Sequence, residues 1–482
     1  MSNFQKFRSF LSARADILCL GCIILFVVLL SGATLLTKPR IWIDEAVTVE
    51  LARNFAQYGI LSIQTAPHVF FGQSYLLQST GYPLTVVLAA VFRIFGYRFA
   101  AERVTMLLIM VAALSTVFWF ARKIFGRKEA LLSALLIATF ATFYASGRTA
   151  VGEVLGFIFL LSCLYCWLSL QSYYWAGFFL GLAVVTKPSV FLLALPAVII
   201  VLAYRRRGFF LNTVRLGVGM IPAALGWIVL VLGNPFVKNV WVRLLGFYRN
   251  PYGAASSAGN IAANLSGFFH SPTLMYFGIL FALACAGWFA AERGNRTDLL
   301  GFVLVYSVIA FLYYLRSPGW LRYVFIAELL ILFVTPFVFS ELYAVFGRFT
   351  GTSLFSGYGI VVVTLIVMSG VQLTHLFTGA QIYDSDAALQ TAAYINTAFP
   401  GKSVGVINAL GLSVLLRTDA RYQTVDLVGL PPIGDGVLSH ADRPDVVVFS
   451  DTLPTNDEMP VLSSFYHEDS VRNGYAIYAK NG

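Results

Sequence analysis

Long apolar runs constrain this chain more than any other feature of it. Residues 17–36 carry no acidic or basic side chain, and about 20 apolar residues are what an α-helix needs to cross the hydrocarbon of a bilayer. Similar runs recur to residue 376. With 58% hydrophobic and 12% charged residues and a mean hydropathy of +0.77, a soluble chain is excluded and a polytopic α-helical membrane protein is expected. No small-residue cleavage site follows the first run, so it reads as a retained helix rather than a removed signal.

The net charge of +10 sorts by place, so it is a topology signal and not a nucleic-acid footprint. Basic clusters fall at the N-terminus, at Arg122/Lys123/Arg127/Lys128, at Arg205/Arg206/Arg207, at Arg293/Arg296 and at Arg348. Placing each in the cytoplasm makes the intervening runs pair up as about eleven spans. These are 17–36, 101–121, 130–146, 154–170, 174–186, 189–204, 211–232, 273–291, 299–315, 320–339 and 358–376. The N-terminus is then cytoplasmic and the C-terminus extracytoplasmic, in the cytoplasmic membrane. Residues 174–186 are short for a span. Residues 82–95 are apolar enough to be one, but reading them as a surface helix keeps all the basic clusters on one side. Residues 37–100 then form a long outer loop. Residues 1–380 make the membrane domain. From 381 to 482 hydropathy drops, an amphipathic helix is expected over 384–399, and short β-rich runs follow at 403–407, 424–427, 446–449 and 475–478. That is a small extracytoplasmic α/β domain.

On the outer side, Asp44-Glu45 opens a run with helical periodicity. Val47, Leu51, Phe55 and Tyr58 fall on one face, and Glu50, Arg53, Asn54 and Gln57 elsewhere. Asp44 is expected as N-cap and Glu45 in the first turn. Adjacent helical residues point about 100° apart, so one carboxylate could face a cleft while the other holds the helix. Around this pair stand cations at outer span edges: Arg148 with Glu153, Lys187 before Pro188, and Arg316 and Arg322 flanking Pro318-Gly319. Each alone could simply snorkel; together they form a rim suited to a lipid phosphate. The loop 233–272 adds Lys238, Trp241, Arg243, Arg249 and His270. Glu328, deeper in a span, is either a functional group or a buried partner for Arg322. The Cys19/Cys22 and Cys163/Cys166 pairs resemble half of a zinc site but lie inside spans, which favours packing. His68 and His270 are weak candidates for a metal. Asn264-Leu265-Ser266 fits a glycosylation sequon.

These residues, in this order, resemble the GT-C membrane glycosyltransferases that use polyprenyl-phosphate sugars, in particular the protein O-mannosyltransferase-like and aminoarabinose-transferase-like enzymes. The resemblance rests on Trp42-Ile43-Asp44-Glu45-Ala46, Gly81-Tyr82-Pro83-Leu84, Ala101-Glu102-Arg103, Gly147-Arg148-Thr149-Ala150 with Glu153, Thr186-Lys187-Pro188 and Arg322-Tyr323. It covers about the first 340 residues. It implies inverting transfer of a sugar from a polyprenyl-phosphate donor to a glycan, lipid or protein hydroxyl, with no nucleic acid as partner. Asp44 would be the general base and Glu153 the second acid. Arg148, Lys187, Arg322 and Arg243 would bind the donor phosphate, with Glu45, Tyr82, Tyr323 and His270 in support. Gln78-Ser79-Thr80-Gly81-Tyr82-Pro83 stands where some relatives carry Glu-Lys-Pro on a divalent metal ion, so metal dependence stays open. Competing classes are a multi-span transporter or lipid flippase, and a sensor or scaffold with an outer binding domain.

Overall fold

The computed structural model describes the chain apart from residues 1–2, 72–80, 206–207, 233–240, 242–256, 293, 351–353, 379–385, 425–436, 440–442, 451–458 and 482. Eight helical segments among the described residues are long and apolar enough to cross a membrane, or nine if a pair of helices bent by 68° counts as one span. They include α1 (Asn3–Gly32), α4 (Phe99–Ile124), the bent pair α5 (Arg127–Ala138) and α6 (Ala141–Gly147), α9 (Pro188–Phe191) with α10 (Ala194–Arg205), and α11 (Phe209–Trp227). The rest are α13 (Pro272–Ala290), α14 (Asn295–Arg316), α15 (Phe325–Thr350) and α16 (Leu354–Thr378). The protein is thus multi-pass.

Two shorter apolar helices, α7 (Glu153–Leu168) and α8 (Tyr173–Thr186), run alongside them. The end of α7 lies at the start of α14, where the Asn295 side chain donates to the Leu168 carbonyl at 2.9 Å. Its start carries Glu153, 3.9 Å from Lys187 at the end of α8. The pair therefore runs from one end of the bundle to the other, so that eight or nine long segments and these two shorter helices stand among the described residues where about eleven spans are expected. α8 reaches across because glycine lets it lie against α11. A Cβ on Gly177 would stand 2.0 Å from the Leu216 carbonyl oxygen, and one on Gly219 2.1 Å from that of Tyr174. Such close backbone approach is how membrane helices associate when both lipid and side chains are apolar.

Charges sort to the two ends of the bundle. At one end Asp16 pairs with Arg122 (3.2 Å) and Arg127 (3.7 Å), and Arg205 pairs with Asp298. At the other end lie Asp44, Arg148, Glu153, Lys187 and Arg322. There the segment between α1 and α4 forms α2 (Ile43–Tyr58), a short hairpin of β1 (Gln64–Ala66) and β2 (Val69–Phe70), and α3 (Tyr82–Phe95). The hairpin was not expected. A helix over Tyr82–Phe95, outside the long spans, was.

The C-terminal domain is a five-stranded mixed sheet, in the order β4-β3-β5-β7-β6. Its strands are β3 (Val404–Ile407), β4 (Arg421–Thr424), β5 (Val446–Ser450), β6 (Tyr466–Arg472) and β7 (Tyr475–Lys480). The first three are mutually parallel and β7 is antiparallel to both β5 and β6. Ala392 and Ile395 of α17 (Ala387–Ala398) cover one face, and Leu462 of α18 (Met459–Phe465) joins the core on the other. β6 was not expected, because Tyr466-His467-Glu468-Asp469-Ser470-Val471-Arg472 lacks the apolar alternation of a half-buried strand. It is an edge strand, where charge blocks pairing with another chain. The expected boundary between 380 and 381 falls outside the described residues.

Candidate active site

Asp44 lies in the first turn of α2, but it is not the N-cap. That position belongs to Trp42, whose extended backbone makes no side-chain cap. The Asp44 carboxylate turns instead to Arg322, whose Nη1 donates to its Oδ2. Arg322 sits on a single 3-10 turn, Leu321–Tyr323, between α14 and α15. Gly319 just before it has φ +83, a left-handed conformation that suits glycine and breaks the helix there. Aromatic faces hold the guanidinium. Its central carbon is 4.4 Å from the Trp320 ring centre, 5.1 Å from Trp42 and 5.6 Å from Tyr323. Cation–π contact of this kind orients arginine without consuming its donors.

Lys187 and Glu153 complete the cluster. The backbone around Lys187 is fixed from outside its own helix: the Gly81 N–H donates to the Thr186 carbonyl at 2.7 Å. A Cβ on Gly81 would lie 1.4 Å from the Val185 carbonyl oxygen, so the Gly81-Tyr82-Pro83-Leu84 motif needs glycine for contact with α8. Burial alone would raise the Asp44 carboxyl, but Arg322 and Lys187 hold it below its ordinary value. Burial pushes the Lys187 ammonium down, against the pull of Glu153 and Asp44. With two carboxylates and two cations the cluster is electrically balanced. Arg322 and Glu153 line a cavity of ≈ 190 Å³ together with Arg40, Trp42, Ser146 and Thr149. Arg40 and Trp42 also line a second, more polar cavity of ≈ 290 Å³, walled by Ala387, Asn473 and Tyr475 of the C-terminal domain. Neither Arg40 nor Trp42 had been singled out as a site residue. Their place just before Asp44, on a loop leaving a span, was the available signal.

Glu45 does not line this cavity. It is fully buried against Arg103 at 2.9 Å, and Glu102 lies 3.4 Å from the same guanidinium. Burial raises the Glu45 carboxyl to about 7, in spite of Arg103. Arg148 is buried too. Its Nη1 donates to the Thr34 hydroxyl at 2.9 Å, and burial together with Arg103 lowers it to about 10. Tyr82 packs toward α11, donating to the Ala223 carbonyl at 3.4 Å. Tyr323 is buried, edge-on to Tyr313 and stacked on Trp320. His270 is exposed after α12 (Ser257–Phe268), with its Nδ1 2.9 Å from the Ser266 carbonyl. Arg243 lies outside the described residues. Glu328 is buried in α15, and its carboxylate oxygens make no hydrogen bond among the described residues; the partner of Arg322 is Asp44. The Asn264 amide of the sequon donates to the carbonyls of Tyr314, Leu315 and Ser317 at 2.8–3.2 Å. It caps α14, so a glycan there would cost that cap.

For a metal, no three His, Cys, Asp or Glu side chains come together among the described residues. Asp44 and Glu153 are each matched by a cation, and His68 lies against Tyr58 in the β1–β2 hairpin. Among the described residues, then, these side chains do not gather into a donor set for a divalent ion.

The sequence model of the dolichyl-phosphate-mannose-protein mannosyltransferase family matches residues 83–236. No curated protein sequence matches the chain. Solved structures do. ArnT from Cupriavidus metallidurans bound to undecaprenyl phosphate superposes with a TM-score of 0.64 at 14% identity, over 97% of this chain and 98% of that one. The Archaeoglobus fulgidus oligosaccharyltransferase in its apo form gives 0.56 at 12% identity, over 97% of this chain and 74% of that one. The same enzyme tethered to an acceptor peptide gives 0.55 at 12% identity, over 98% and 75%. The likeness therefore extends past residue 340 into the C-terminal domain. The chain has the GT-C fold of the membrane-embedded glycosyltransferases.

Proposed function

We propose that this protein is an inverting glycosyltransferase. It moves a sugar from a polyprenyl-phosphate donor to an acceptor hydroxyl on the extracytoplasmic side of the cytoplasmic membrane. The observation that carries this is the Asp44–Arg322 pair, beside Lys187 and Glu153, where Arg322 and Glu153 line a cavity at one end of the bundle. The ArnT structure with undecaprenyl phosphate supports a lipid-phosphate donor. Against a transport pathway, these polar groups gather at one end of the helices rather than at mid-depth.

The chemistry follows from the charge balance. A carboxylate paired with a guanidinium is a poor base, because the cation stabilises its ionised form. The donor phosphate brings negative charge that competes for Arg322 and Lys187. Once Arg322 turns to the phosphate, Asp44 loses its counter-charge and becomes a better proton acceptor. The acceptor oxygen then attacks the anomeric carbon, and the bond from that carbon to the phosphate oxygen breaks. Its electron pair leaves with the polyprenyl phosphate, where Arg322 and Lys187 stabilise the charge. The acceptor proton passes to Asp44, which as base has to come within hydrogen-bond reach of that oxygen. Glu153 holds Lys187 and orients the sugar or acceptor. Donor and cation contacts preceding base release would keep Asp44 quiet until donor is bound.

Mass spectrometry of membrane lipids and envelope glycans, with and without the gene product, tests the reading. One glycan or lipid should lose a sugar and its polyprenyl-phosphate sugar should accumulate. Identical profiles under conditions where the protein is made would reject it.

A further inference from the structure

At the opposite end of the bundle, α4 and α7 diverge and leave a cavity of ≈ 560 Å³. Its walls are of two kinds. Trp119, Phe120, Leu161 and Tyr165 supply apolar and aromatic surface, and Arg122 and Lys123 stand at one end. From Ser115 to Lys123 along α4 is about 12 Å of helix rise. The cavity therefore runs from the charged edge of the bundle into its apolar depth, the direction in which a phospholipid lies. Trp119 is half exposed, as suits a side chain at the boundary between headgroups and hydrocarbon.

We propose that this groove binds an anionic phospholipid from the leaflet opposite the Asp44 cluster, with its phosphate at Lys123 and Arg122 and the start of an acyl chain along Trp119 and Tyr165. Charge selects the occupant. Four cations, Arg122, Lys123, Arg127 and Lys128, crowd the turn between α4 and α5. Asp16 answers Arg122 and Arg127, Glu129 is the other acid of the turn, and Lys123 is exposed with no ion pair among the described residues. The surplus is positive, and a basic pocket between membrane helices suits an acidic headgroup. A zwitterionic lipid would bring an ammonium into the same field. The groove walls belong to neither the donor cavity nor the C-terminal domain, so the inference stands or falls separately from the proposed transfer.

Native mass spectrometry of the full-length protein in detergent tests it, with equimolar phosphatidylglycerol and phosphatidylcholine added. The wild type should retain phosphatidylglycerol about fivefold over phosphatidylcholine, the worth of roughly one surface lysine. Lys123→Gln, which alters only an exposed side chain, should bring the ratio close to one. Ser162→Trp, which fills the groove, should reduce retention of both lipids. Lys402→Gln on the C-terminal domain should change nothing. Equal retention by the wild type, a preference that survives both groove variants, or the same loss in Lys402→Gln would overturn the proposal.

Discussion

Two of the carboxylate–guanidinium pairs on helix α2 look alike on paper and differ in their surroundings. Near its start, Asp44 and Arg322 are 21% and 17% exposed. Further along, Glu50 and Arg421 are both at 0%. Arg421 grips Glu50 with two donors, at 2.7 and 3.1 Å, and Asn54 adds a third at 3.0 Å. Beside it Arg53 reaches Asp419 at 2.7 Å and the carbonyls of Leu416 and Thr418 at 3.1 and 3.2 Å. The first pair can exchange its partner for a ligand that enters the cavity. The second has nowhere to go; it fastens the C-terminal domain to the helix that presents Asp44. Glu45, on a third face, ties the same helix to α4 through Arg103. Each acid on α2 thus meets an arginine from a different part of the chain, and among the described residues only the arginine that meets Asp44 lines a cavity.

That difference can be broken most forcefully at the sealed pair. Arg421→Ala leaves the Glu50 carboxylate buried without its counter-charge and should cost about 3–5 kcal/mol. Thermal unfolding in detergent would show it as a lower midpoint or as loss of folded protein. Replacing both partners with apolar residues, Glu50→Leu with Arg421→Met, should recover most of that loss, since no orphan charge remains. Failure to recover would mean the pair does more than fasten. At the open pair, Arg322→Gln should leave the midpoint nearly unchanged, because a partly exposed pair is worth only about 0–1 kcal/mol. It should instead weaken undecaprenyl phosphate binding about 10- to 100-fold, the worth of a hydrogen bond to a charged group. A large drop in stability with unchanged binding would reverse the assignment of the two pairs.

Acid should separate them as well. The Arg421 guanidinium and its neighbours hold Glu50 below its ordinary 4.5, overriding the effect of burial. A carboxylate lowered on folding stabilises the protein above its unfolded value, and that stability is lost as pH falls through the folded one. The unfolding midpoint should therefore fall as pH drops below about 4.5, and Glu50→Gln should flatten that limb. Glu45 has the opposite sign. Burial raises it to about 7, so the folded state binds its proton more tightly and stability declines as pH rises from about 4.5 toward 7. Glu45→Gln should flatten this shallower slope, the smallest of these effects.

Much of the open pair could be read from the sequence, and almost none of the sealed one. Asp44, Lys187 and Arg322 stand where long apolar runs end, and charge at such edges is conspicuous against a greasy background. Glu50, Arg53 and Asn54 were assigned to the polar side of an amphipathic helix. The periodicity was right, but a polar face is only a face that avoids hydrocarbon. Here it is covered by Arg421, Asp419 and Gln423 from the last quarter of the chain, a partner that local periodicity cannot reveal. For a related reason, the structure gives Trp42 the N-cap position that the sequence offers to Asp44. Its residue type and position suit a cap, and only the approach of Arg322 shows where the carboxylate is spent. The bundle of long apolar helices was legible because membranes impose length and charge asymmetry on their spans. The edge strand β6 was not, because no further strand among the described residues pairs with its outer side and its charged residues hide the alternation.

The central claim is that Asp44 takes the acceptor proton and does not hold the fold together. The direct test is Asp44→Asn, assayed for sugar transfer from its polyprenyl-phosphate donor alongside thermal unfolding of the same purified protein. Transfer should fall by about 10²–10⁴-fold while the unfolding midpoint stays close to that of the wild type. Transfer at the wild-type rate, by a protein equally well folded, would contradict it.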